Sequence, residues 1–185
     1  VAIAVLPVMP PMPQVAPGGG LGLAIFAQQM FIGIAIGFMM RIVFAAVDMA
    51  GALIGMQMGL SFAIFFDPDA GGQTAVLSDF LNLLATLLFL AVNGHLLMID
   101  ILVRSFEWLP VTTAPVNAGG WGFIARTGLT VFTAGLLLSL PIVAILLVAN
   151  IALGVLTRAA PQLNLFAVGF PITLTAGFIG VLLIM

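Results

Sequence analysis

The sequence predicts an all-α integral membrane protein built of helical hairpins, on three observations. Hydrophobic residues fill 63% of the 185 positions and charged residues only 5%, whereas a water-soluble domain carries roughly 25% charged residues. The apolar residues gather into blocks long enough to cross a hydrocarbon core, which takes about 20 helical residues for roughly 30 Å. Turns rich in Pro, Gly and Asn separate the blocks. The composition also excludes several functions. Without Cys there is no disulfide scaffold, thiolate metal site or thiol nucleophile, and without Tyr one common general acid and interfacial anchor is absent. A net charge of -2 with no basic cluster excludes nucleic-acid binding, which relies on Lys and Arg to neutralise phosphates.

The elements follow in order. Val1 to Leu6 is apolar and precedes Pro7, Pro10, Pro11, Pro13 and Pro17 with Gly18 to Gly20, a stretch that cannot hold a helix because amide donors are missing and φ is fixed repeatedly. With no initiator Met, basic n-region or small-residue cleavage site, Val1 to Met9 reads as the tail of a truncated helix rather than a signal peptide. Val181 to Met185 is still apolar, so missing segments are expected at both ends. The second block, Leu21 to Phe66, is about twice as long as one crossing requires and is expected to bend, re-enter or cross twice.

The third block, Ala75 to Val103, ends at Asp100, Arg104 and Glu107. Asp100 and Arg104 stand at i,i+4 with the acid first, the favourable order for a pair on one helix face. Trp108 and Trp121 bracket the Pro, Thr, Asn and Gly loop that follows and read as interfacial anchors. Block four, Trp121 to Leu156, is expected to kink at Pro141. A short turn, Thr157 to Asn164, joins it to block five, Leu165 to Met185, as a hairpin with a proline in each arm. Arg104 and Arg126 flank one loop and Arg158 lies at the next, a count that sets no orientation and hints at helices that are not plain bilayer spans.

Gly51, Gly55 and Gly59 repeat every four residues and would bring another backbone close along one helix face. The chain then runs through Met56, Met58, Phe62, Phe65 and Phe66 into Asp67, Pro68, Gly71 and Gly72. Flexible thioethers and rings beside an acidic Pro/Gly bend form either a deformable apolar seal, of the kind that blocks ions by dewetting, or a surface that merely meets lipid or core. Arg41 and Asp48, two helical turns apart, share a face; each is costly alone in a membrane, so they form a mutual or intersubunit ion pair, or Asp48 relays protons. His95 follows Asn93-Gly94 as a polar notch and is expected to hydrogen-bond a neighbouring helix rather than a metal. Asp67, Asp69 and Asp79 lack the calcium-loop pattern, and no phosphate loop, Ser/His/Asp arrangement or paired-carboxylate site is present, so neither enzyme activity, metal nor cofactor is expected.

Three stretches together resemble the FliR family, the flagellar branch of the export-gate proteins of bacterial type III secretion: Gly55-Met56-Gln57-Met58-Gly59-Leu60-Ser61-Phe62 with Phe66-Asp67-Pro68, then Phe89-Leu90-Ala91-Val92-Asn93-Gly94-His95, and the turn Arg158 to Asn164 with Gly169-Phe170-Pro171. The resemblance covers blocks two to five. It implies a FliP-like helical part over residues 1–120, with a pore plug at 58–74, followed by a FliQ-like hairpin over 121–185. It further implies a single subunit of the inner membrane and flagellar basal body, joined to FliP, FliQ and FlhB in a channel for unfolded export substrates. The rival class is a small proton-coupled secondary transporter with broken helices, in which Asp48 carries the proton and Gly51 to Gly59 unwinds around a solute.

Overall fold

A computed structural model describes residues 15, 18–60, 76–111, 118–160, 162 and 165–184, and every element among them is helical. These are α1 (Gly20–Gln57), α2 (Val76–Ala91), α3 (Gly94–Trp108), α4 (Ala118–Ala159) and α5 (Leu165–Ile184). Three of them, α1, α4 and α5, are long and apolar enough to cross a membrane, or four spans if the bent pair α2 and α3 counts as one. Large apolar side chains stand exposed along all of them, among them Phe26, Phe31, Leu137, Val148 and Leu182. Faces of this kind belong against lipid or protein rather than water.

Two of the helices, α1 and α4, are long and unbroken. Most of the second block is one helix, after which the chain turns at Met58 to Leu60: α1 runs 38 residues without a break, about 57 Å at 1.5 Å per residue. It contains no Pro, so nothing removes an amide from its hydrogen-bond ladder. Helix α4 continues for 42 residues through Pro141. Proline costs that helix one bond to the Leu137 carbonyl, and the neighbouring turns hold. The third block, by contrast, is two helices bent by 70° at Val92 and Asn93.

The described residues group into two compact units. One holds the beginning of α1 up to Val43, residues from Thr86 through α3, and α4 up to Leu129. Within it Gly128 of α4 admits the Phe38 ring of α1 at ordinary van der Waals distance. The other unit joins Phe44 to the end of α1, α2 as far as Ala85, and α4 from Thr130 together with α5. Its core is Ile54, Met58, Leu77, Ile142, Leu146 and Val181. The two arms of the predicted hairpin meet there, Gly180 of α5 against Ile142 and Ile145 of α4. Gly135 of α4 lets α1 approach so closely that a Cβ would lie 2.9 Å from Met49 Cβ and 3.0 Å from the Ala46 carbonyl oxygen. Thus the second unit combines residues from both sides of position 120.

Candidate functional site

The richest polar and small-residue geometry lies in the second unit, around the end of α1. Asp48, Gly51 and Gly55 face Asn82, Ser78 and Leu77 in turn, so α1 and α2 form an antiparallel hairpin. At Gly51 the backbones nearly touch: a Cβ there would lie 2.5 Å from Ser78 Cα and 2.9 Å from its amide nitrogen. That approach lets the buried Ser78 Oγ donate to the Asp48 carbonyl at 2.9 Å. One turn further along α2, Asn82 Nδ2 donates to Asp48 Oδ1. Small residues permit backbone contact and polar side chains then tie the helices in an apolar setting.

Gly59 ends α1. Its φ of 80° is left-handed, the Leu60 amide donates to the Gly55 carbonyl at 3.0 Å, and the Gly59 amide donates to Met56 at 3.1 Å. This is a Schellman termination, which favours glycine at the left-handed position. Leu60 folds back so that its Cδ1 lies 4.0 Å from where a Gly55 Cβ would stand. Just before the turn, Met58 is fully buried. Its side chain occupies the notch left by Gly177 of α5, and its carbonyl accepts from Thr173 Oγ1 at 3.2 Å.

The residues singled out from sequence scatter over this frame. Gly51, Gly55 and Gly59, read as one packing stripe, do three separate things: close backbone contact, ordinary packing and helix termination. Met56 is exposed while Met58 is sealed in the core. Phe62, Phe65, Phe66, Asp67, Pro68, Gly71 and Gly72 lie outside the described residues. Asp48 bonds Asn82 rather than Arg41, and both Asp48 and Arg41 are exposed. Among the described residues the one ion pair is Asp100 with Arg104, at 2.8 Å on the exposed face of α3.

His95 sits on the exposed side of α3 immediately after the bend, and the expected bond to a neighbouring helix is absent among the described residues. The polar notch before it is the hinge. Asn93 takes φ 56° and ψ 31°, a left-handed conformation that Asn tolerates better than most residues with a Cβ. The Phe89 ring packs against buried Gly94 so closely that a Cβ there would collide with it. Among the described residues no three His, Asp or Glu side chains gather as a metal site.

Sequence reasoning passed over Ser78, Asn82, Thr173 and Gly177. Ser78 and Asn82 stand four apart in the apolar α2, and polar side chains at helical spacing in a membrane helix already mark a face that needs a partner.

The family model for bacterial export proteins, family 1, matches residues 1–185. The chain belongs to this family. It is 51% identical over 156 residues to the flagellar biosynthetic protein FliR of Pectobacterium carotovorum subsp. carotovorum, covering 84% of this chain and 60% of that protein. The flagellar biosynthetic protein FliR of Escherichia coli (strain K12) is 49% identical over 150 residues, covering 81% of this chain and 58% of that protein. That of Bacillus subtilis (strain 168) is 36% identical over 155 residues, covering 82% and 60%. The chain therefore spans about three fifths of the length of the curated relatives it matches.

Proposed function

We propose that the protein is a subunit of the flagellar type III export gate in the bacterial inner membrane and basal body. There it forms with FliP and FliQ subunits, and in contact with FlhB and lipid, the channel that conducts unfolded export substrates. The observation that carries this reading is the match to the export family along the whole chain, reinforced by FliR relatives at up to 51% identity. The exposed apolar length of α1 and α4, greater than the roughly 30 Å that a hydrocarbon core can cover, accords with packing against sister subunits. The first 120 residues would serve as the FliP-like part and the α4 and α5 hairpin as the FliQ-like part.

The segment from Met58 to Thr74 is the plug of this reading. Phe62, Phe65 and Phe66 supply its apolar seal beside exposed Met56, and Asp67-Pro68 with Gly71-Gly72 the bend on which it moves when substrate arrives. Replacing Phe65 and Phe66 together by Ala, or deleting residues 71–74, should make resting cells that carry the assembled complex leak small ions. Unchanged permeability with normal assembly would refute the plug. The proton-coupled transporter is disfavoured by the match to the export family along the whole chain.

A further inference from the structure

We infer that Thr173 and Gly177 of α5 are positioning residues, which seat the end of α1 and so fix the point at which the chain leaves the helical frame. The inference rests on reading the following segment as the obstruction of the channel. Met58 carries one of the carbonyls that a helix end leaves without a partner in its own ladder. Thr173 Oγ1 reaches it at 3.2 Å across a separation of 115 residues and reaches the Phe170 carbonyl of its own helix at 3.0 Å. A hydroxyl has one proton, and the two carbonyls share it. The bond to Phe170 would satisfy Thr173 alone, so the bond to Met58 is what this position adds.

Gly177 supplies the second half of the seat. A Cβ there would lie 2.5 Å from Met58 Cγ and 2.6 Å from Sδ, so a larger residue would force the enclosed thioether to move. The two residues lie four apart on α5, one turn, and present hydroxyl and notch to the same methionine. With the Schellman turn closed at Gly59, everything up to Met58 is held by its backbone and its side chain, and displacement of the chain starts beyond it.

The test uses the full-length protein assembled in cells with Leu60→Cys as the probe, read against the same complex without that substitution; the 185 residues here contain no Cys. Thr173→Val should raise the maleimide labelling rate at that cysteine and the resting ion leak about fivefold, the population ratio that one net hydrogen bond controls. Thr173→Ser should restore both, and Gly177→Ala, which displaces Met58 without removing a polar group, should match Thr173→Val. Unchanged labelling in an assembled Thr173→Val complex overturns the inference. So does faster labelling without leak when the Phe65→Ala, Phe66→Ala variant does leak. Faster labelling with no leak in either variant supports the seat and refutes the plug reading instead. Loss of assembly in both Thr173→Val and Gly177→Ala would make the pair structural and would overturn its positioning role.

Discussion

Gly51→Ala should be the most costly single methyl addition on the α1 and α2 seam, and the structure sets its size. The new Cβ would lie 2.5 Å from Ser78 Cα, 2.7 Å from its Oγ and 2.9 Å from its amide nitrogen. Carbon atoms pack at about 3.5 to 4.0 Å, so the helices must part by roughly an ångström, because a backbone has no rotamer to yield. Overpacking of this kind costs about 1 to 3 kcal/mol. Parting the helices also stretches the bonds from Ser78 Oγ and Asn82 Nδ2 to Asp48, each worth about 0.6 to 1 kcal/mol. The helix preference of Ala over Gly offsets about 1 kcal/mol of this, leaving a net loss of about 1 to 4 kcal/mol. Gly55→Ala is the matched control: the same propensity gain applies, and its Cβ would meet Leu77 Cβ at 3.8 Å, an ordinary contact. Both variants can be unfolded by SDS titration of detergent-purified protein. If Gly51→Ala proved as stable as Gly55→Ala, the close seam and the hairpin built on it would be refuted.

Other substitutions follow from the same geometry. Gly59→Ala should cost about 1 kcal/mol in the same titration, since it places a Cβ at a left-handed position, and Gly59→Asn should cost less. Gly94→Ala should destabilise through the Phe89 ring, and Phe89→Ala should relieve it; a double-mutant cycle with a coupling of about 1 kcal/mol or more is expected, and additivity would count against the contact. Asp48→Asn keeps the Oδ1 acceptor for Asn82 and, on the proposed export-gate role, should leave assembly and export intact, whereas Asp48→Leu should impair assembly; outright loss of transport in Asp48→Asn would favour a proton carrier. Asp100→Ala and Arg104→Ala should each change stability by less than about 0.5 kcal/mol, because the pair is about half exposed and spaced i,i+4 on one helix.

Much of the fold was legible because composition and span length act without reference to neighbours. Block five was delimited to within a residue as α5, and the hairpin it makes with α4 follows from a short polar turn between two apolar runs. The Asp100 and Arg104 pair was legible for a similar reason, since i,i+4 contacts depend on one helix alone. The candidate site was legible in part. Met56 and Met58 were grouped by their thioethers, yet two residues on a helix face different ways, and only Met58 reaches Gly177.

By itself, then, the sequence determined what a helix and a solvent decide locally: helical spans, an apolar exterior and, from the motifs of blocks two to five, the export family. The tertiary structure decided which of three equally spaced glycines meets a backbone, which meets side chains and which turns left-handed. It also gave Asp48 to Asn82 and Met58 to Thr173. Those choices join residues tens to more than a hundred positions apart, and an unsatisfied carbonyl or a missing Cβ acquires its partner only when a second helix arrives to supply it.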